Sequence, residues 1–203
     1  MSENNIPPTE QSGKFADLHL MSSKEIVSAM NLTDFEALEA VKNALGEIES
    51  LVDVLVERMK RGGRLFYMGA GTSGRLGVVD ASECPPTFGV EHGRVVGLIA
   101  GGDSAIRKAV EGAEDDSEMG WSDLSAHNVT DLDTVVGIAA SGRTPYVIGA
   151  IEKARAKGLL TGCITCNPGS KLAEVCEYPI EACLLYTSPS PRDQRGYRMP
   201  SSA

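Results

Sequence analysis

Four short apolar runs constrain this chain more than any other feature: "RLFYMGA" (64–70), "VVGLIAGG" (95–102), "TVVGIAAS" (134–141) and "LLTGCITCN" (159–167). Each is continuous rather than alternating and is bounded by turn formers, and the last three are rich in β-branched residues. Strands of a parallel sheet, covered on both faces, read this way. Between them lie segments of helical character, notably 103–116 and 145–157. In the second, Val147, Ile148, Ile151, Ala154 and Arg155 keep a helical period and Gly158 closes the C-terminus. Strand and helix in alternation predict a doubly wound α/β domain. A fifth strand is expected near "YPIEA" (178–182).

Upstream of the first strand, Ser22 and Glu25 have the spacing of a capping box, so a short helix is expected to start there. From Asp34 to Lys60, residues Leu38, Val41, Leu45, Ile48, Val52, Leu55 and Met59 recur at alternating steps of three and four. This predicts one long amphipathic helix whose stripe serves either its own domain or a dimer seam. Residues 1–21 are polar and proline-containing, an arm expected to be ordered only if it docks on something. Residues 183–203, "CLLYTSPSPRDQRGYRMPSSA", have no helical or strand period and carry three arginines against one aspartate. They read as a non-native tail appended to a domain that ends in mid-strand.

With 203 residues the chain can bury one real core. Its net charge of −9 disfavours a general attraction to nucleic acid or an anionic membrane, so an anionic ligand needs local donors. No apolar run approaches the roughly 18 residues that span a bilayer, and the N-terminus lacks the pattern of a secretory signal, so a cytoplasmic protein is expected. Five cysteines without a regular framework suggest reduced thiols. The Cys163-x-x-Cys166 pair sits in a strand, where residues three apart face opposite sides. His19, His92 and His127 have no ligand spacing, and no metal site is expected.

Gly69-Ala70-Gly71-Thr72-Ser73-Gly74 follows the first strand and matches the bare dinucleotide pattern. Two features oppose that reading: Pro85-Pro86 is expected to interrupt the crossover helix, and Glu91 precedes the second strand instead of ending it. What remains is a turn presenting backbone N–H groups and the hydroxyls of Thr72 and Ser73 at a helix start, which suits a phosphate. The third strand ends in a comparable turn, Ser141-Gly142-Arg143-Thr144, before a helix opened by Pro145. In a 2-1-3-4-5 strand order the two turns flank the switch point where ligands bind. Among the carboxylates, Glu83 is expected on a loop stiffened by the two prolines. Glu111 and Glu114, three apart, are expected on one helical face, with Asp115 and Asp116 solvated.

The blocks "GAGTSGRLGVVDASECPPTFGV", "VVGLIAGGDSAIRKAVEGAEDD", "VVGIAASGRTPYVIGAIEKARAKG" and "CNPGS" strongly resemble the N-acetylmuramic acid 6-phosphate etherases, bacterial enzymes of the sugar isomerase (SIS) fold. The resemblance runs over residues 22–182. It implies a five-stranded parallel sheet between helices, a cytoplasmic homodimer and no cofactor. It also implies a further loop and covering helices past the fifth strand, which are missing here. The implied reaction cleaves the ether joining D-lactate to C3 of the sugar phosphate. By resemblance Glu83 is the general acid and Glu114 the matching base, two duties that call for different surroundings. Gly71, Thr72, Ser73 and Gly74, with Ser141, Gly142, Arg143 and Thr144, would hold the phosphate and sugar hydroxyls, Ser73 and Ser141 foremost. A binding module without chemistry competes, because the related glucokinase regulatory protein uses this fold to sense sugar phosphates. An isomerase would need a glutamate with a histidine, and neither turn contains a histidine.

Overall fold

The computed structural model describes residues 9, 14–15 and 17–183. Most of the arm 1–21 and residues 184–203, nearly all of the segment read as a non-native tail, lie outside them. Five parallel strands, β1 (Leu65–Gly69), β2 (Val95–Ile99), β3 (Thr134–Ile138), β4 (Leu160–Thr165) and β5 (Tyr178–Glu181), form one sheet in the order β2-β1-β3-β4-β5. All five strand expectations are met. The register sets Leu65 beside both Val95 and Thr134, and Gly69 beside both Ile99 and Ile138. Strands β1, β2 and β3 therefore end level, and their carboxyl ends share one rim.

The pleat of β1 sends Phe66 and Met68 to one face and Leu65 and Tyr67 to the other. On the first face the helix α6 (Pro145–Ala156) buries Tyr146, Val147, Ala150, Ile151 and Ala154 against Phe66, Met68 and Val135. The helix α5 (Ser117–Ser125) packs on α6, with Leu124 fully buried. These two helices touch backbone to backbone: a Cβ on Gly149 would lie 2.1 Å from the Ser117 carbonyl oxygen, and one on Gly120 2.1 Å from that of Tyr146. The short α7 (Lys171–Val175) adds Leu172 to this layer. On the second face α2 (Leu45–Lys60) sets Leu51, Ile48 and Leu55 on Leu65, Val136, Leu160 and Ile180.

The expected capping box is present. Ser22 opens α1 (Ser23–Asn43), with its backbone N–H donating to Glu25 Oε2 at 2.7 Å and its hydroxyl accepting from the Glu25 N–H. The helix is long rather than short. It stops at Ala44, so the single helix expected over 34–60 is two. The buried stripe is Ala40, Ala44 and Leu51, whereas Leu38, Val41, Leu45 and Val52 of the three-four stripe are exposed.

Two other expectations fail. The helix α3 (Gly71–Phe88) runs straight through Pro85 and Pro86 and ends where Gly89 donates to the Pro85 carbonyl. Both prolines sit in its last turn, where the two intrahelical bonds that they forgo cost least, and the adjoining Ser82 is solvent-exposed. Residues 103–116 are not one helix. A five-residue α4 (Asp103–Arg107) is followed by an irregular loop in which Gly112 has φ +74°. Glu111 and Glu114 thus belong to a loop, not to a helical face. Asp116 is exposed, as expected, and accepts from the N–H groups of Glu118 and Met119 to cap α5. No helix among the described residues is long and apolar enough to cross a membrane. Cys163 and Cys176, both buried, lie with their sulfurs 3.3 Å apart between β4 and α7.

Candidate functional site

At the level rim of β1, β2 and β3 the chain leaves β1 and β3 in opposite directions, toward α3 on one face and α6 on the other. A crevice of about 490 Å3 opens there, the switch point of the sheet. Its floor is Ile138, Ala139, Ala140 and Ala70. Gly71, Thr72, Ser73 and Arg75 form one wall, Ser141 and Thr144 a second, and the loop with Glu111 and Glu114 a third.

The first wall is the N-terminus of α3. Ala70, its N-cap, has no side-chain oxygen to offer, and Gly71 takes φ +53°, a left-handed conformation that favours glycine. The first-turn N–H groups therefore have no intrahelical acceptor and face the crevice beside the hydroxyls of Thr72 and Ser73. Such a terminus stabilises an anion. Gly74 lies below the wall: its N–H donates to the Ala70 carbonyl at 3.2 Å, and a Cβ there would strike Gly69 and Ile99. Its contribution is the close seating of α3 on the sheet. Arg75, which sequence reasoning did not single out, reaches across the crevice. Its Nε donates to the Ile106 carbonyl and its Nη2 to the Ala105 carbonyl, each at 2.8 Å, so it ties α3 to the end of α4.

The second wall is built differently. Gly142 has φ +63°; its N–H donates to the Ala139 carbonyl at 2.9 Å and its carbonyl accepts from Leu172 at 3.0 Å. Both polar groups are spent within the protein, and Gly142 faces Ser170 instead of the crevice. The Ser141 hydroxyl accepts from the Arg143 N–H at 3.3 Å. Arg143 itself is exposed and does not line the crevice. Ser141 and Thr144 are the members of this turn that do.

Glu114 is fixed through its backbone. Pro145 has no N–H, and the next one, on Tyr146, donates to the Glu114 carbonyl at 3.0 Å. The free N-terminus of α6 thereby anchors the acidic loop. Tyr146 is fully buried and its hydroxyl donates to Asp123 Oδ2 at 2.8 Å; burial, then Asp123, pushes that hydroxyl far above the ordinary tyrosine range. One tyrosine thus holds α5, α6 and the Glu114 backbone together. Glu111, exposed on the same loop, shares the third wall.

Glu83 is not in this crevice. It lies twelve residues along α3 from Gly71, about 18 Å at 1.5 Å per residue, and it is exposed. With Leu76 (60% exposed) and Val79 (58%) it forms an i, i+3, i+7 stripe on the outer face of the helix. The opposite face carries Gly74 and Gly77, which touch Ile99 and Tyr67. Among the described residues no group of three or more His, Cys, Asp or Glu side chains is gathered for a metal. The crevice thus sets an anion-ready helix start beside a loop that carries Glu111 and Glu114.

A parallel 2-1-3-4-5 sheet with its crevice between the ends of β1 and β3 defines a doubly wound α/β domain that binds its ligand at the switch point. The phosphoheptose isomerase of Francisella tularensis superposes with a TM-score of 0.61 at 22% identity, over 84% of this chain and 88% of that one. The Vibrio vulnificus NanR protein complexed with ManNAc-6P gives 0.50 at 16%, over 77% and 52%. This likeness is one of fold.

The chain belongs to the family of the glucokinase regulatory protein N-terminal SIS domain, whose model matches residues 47–155. It is 57% identical over 175 residues to the N-acetylmuramic acid 6-phosphate etherase of Christiangramia forsetii, covering 86% of this chain and 64% of that protein. It is 56% identical over 176 residues to the etherase of Bacteroides thetaiotaomicron, covering 87% and 64%. The chain thus spans just under two thirds of the length of these relatives.

Proposed function

We propose that this chain carries the crevice of an N-acetylmuramic acid 6-phosphate etherase, which converts that sugar and water to N-acetylglucosamine 6-phosphate and D-lactate in the cytoplasm. The observation that carries the reading is Glu114 held on the crevice wall beside the anion-ready start of α3, in a sequence 57% identical to a named etherase. The 6-phosphate would sit at Gly71, Thr72 and Ser73, with Ser141 and Thr144 on the sugar hydroxyls.

The ether cannot leave as a bare alkoxide. Ring opening exposes the C1 aldehyde, which acidifies the C2 proton. Glu114 takes that proton, the C2–C3 double bond forms, and the C3–O bond breaks as a carboxylic acid protonates the departing lactate. Water then adds at C3 and a proton returns to C2. The sequence of steps is redox-neutral and calls for no cofactor.

The acid assigned by resemblance, Glu83, is some 18 Å along α3 from the phosphate wall. The reading is therefore completed by a homodimer in which a second copy covers the α3 stripe and the open residues of α1 and α2. Glu83 of one copy then serves the crevice of the other. Glu114→Gln is expected to abolish D-lactate release while ligand-induced melting shifts with N-acetylglucosamine 6-phosphate persist. Undiminished turnover in that variant would refute the role, and binding without lactate release in the unaltered protein would favour a sensing module.

A further inference from the structure

The "CNPGS" block has no part in the chemistry above, yet it lies directly under the second wall. Asn167 is 4% exposed, and both ends of its side-chain amide are hydrogen-bonded. Nδ2 donates to the Ser141 carbonyl at 3.0 Å and to Thr9 Oγ1 at 2.7 Å, while Oδ1 accepts from the Thr9 N–H at 3.1 Å. The partners fix the orientation of the amide, because a carbonyl can only accept and a backbone N–H can only donate. Thr9 and Asn167 are 158 residues apart in sequence. One planar group therefore joins the N-terminal arm to the turn carrying Ser141.

The rest of the block makes that turn stiff. Thr165 is fully buried, and its Oγ1 meets the Ala140 carbonyl at 3.3 Å, the Asn167 N–H at 3.3 Å and Ser170 Oγ at 3.4 Å. Gly142 is seated so closely on Ser170 that a Cβ would lie 2.2 Å from its Oγ. The turn is thus gripped from below by Thr165 and Ser170 and from the side by Asn167. Two of the three side-chain bonds of Asn167 lead to Thr9. Without Thr9, the amide oxygen and one amide N–H lose these partners, and the amide is no longer held in the orientation that serves the Ser141 carbonyl.

We propose that Asn167 is a positioning residue of the sugar-phosphate site and that Thr9 is its counterpart, so that the two hydrogen bonds between them help to set the conformation of the Ser141 turn. The inference rests on reading the crevice as a sugar-phosphate site and does not need the etherase chemistry. It makes Thr9 a working part of the site, because Thr9 orients the amide that holds the Ser141 carbonyl.

The test uses the full chain. Thr9→Val keeps the N–H and the shape but removes the hydroxyl, at a half-buried position. It is expected to weaken binding of N-acetylglucosamine 6-phosphate about 5- to 10-fold, the loss of one hydrogen bond, in a free protein that still melts cooperatively. Thr9→Ser should restore wild-type affinity. Asn167→Ala should weaken binding as much or more, and adding Thr9→Val to it should cost nothing further. Wild-type affinity in Thr9→Val, or additive losses in the double variant, would overturn the coupling. A ligand-free arm of the experiment keeps the two readings apart. Amide exchange at Gly142 and Arg143 should quicken in Thr9→Val, and unaltered exchange there overturns the coupling whatever the ligand. Absence of sugar-phosphate binding by the wild-type protein would instead refute the reading of the crevice.

Discussion

Asp133 shows how a single side chain secures the base of the sheet. It is 1% exposed at the start of β3 and accepts from the Arg64 guanidinium at 2.8 and 3.1 Å, from the Arg64 N–H at 2.8 Å and from the Thr130 N–H at 2.8 Å. Burial alone would raise its pKa, but the Arg64 guanidinium and the two N–H groups prevail and hold the carboxyl below the usual aspartate value. A depressed pKa means that the pair stabilises the fold fully above about pH 4, the unfolded value. That stability is lost as pH falls through the folded value. Asp133→Asn is expected to cost about 2–4 kcal/mol at neutral pH, because Arg64 and two N–H groups lose their charged acceptor. The variant should also lose stability less steeply than the wild type between about pH 4 and pH 2. Urea titrations across that range check both. None of this was legible in the sequence, where Arg64 and Asp133 are 69 residues apart and merely flank two apolar runs.

At the scale of elements, the strands were legible because each is a short continuous apolar run between turns, β-branched or, in β1, aromatic, as burial on both faces requires. The helices were less so. Pro85-Pro86 reads as a break, yet α3 passes through it, since a helix near its end has few bonds left to lose. The segment 103–116 reads as a helix by composition, yet Gly112 and the pull of Tyr146 on the Glu114 carbonyl turn it into a loop. Of the two carboxylates singled out by resemblance, Glu114 therefore lines the crevice and Glu83 does not, and the loop geometry that places Glu114 was not legible in the sequence. The α5–α6 contact has a measurable role in that geometry. Gly149→Ala forces a methyl into the Ser117 carbonyl, so α5 must shift. We expect a loss of about 1–3 kcal/mol in stability. Turnover should also fall, with kcat affected more than KM, because α6 carries the Tyr146 anchor of Glu114. Thermal melts and lactate assays on the same variant check the pair of effects.

For the whole molecule, the open question in the sequence was which partner the three-four stripe serves. The sheet takes Ile48 and Leu55 from it, and leaves Leu38 (67% exposed), Val41 (46%), Leu45 (56%) and Val52 (44%) to solvent. A chain that exposes these together with Leu76 and Val79 is suited to a second copy of itself. If Glu83 and Glu114 of one site come from different copies, two dead variants should rescue each other. Mixing unfolded Glu83→Gln and Glu114→Gln chains and refolding them is expected to give about a quarter of wild-type lactate release. Half the dimers are then mixed, and each mixed dimer has one intact site. Zero recovery would place both carboxylates in one chain. No single-chain reading of the sequence could have reached this, because spacing along a chain says nothing about which copy a side chain serves.

The interior place of β1, between β2 and β3, also governs when the protein can take shape. Leu65 pairs with Val95 on one side and Thr134 on the other, so the strand leaves the ribosome well before either neighbour exists. Phe66 and Met68, which end with no exposed surface, must wait uncovered until β3 and the apolar face of α6 are synthesised. During that interval the nascent chain offers an unpaired apolar strand to any other such strand nearby. Slow translation between residues 70 and 156 would lengthen the interval and favour aggregation over yield.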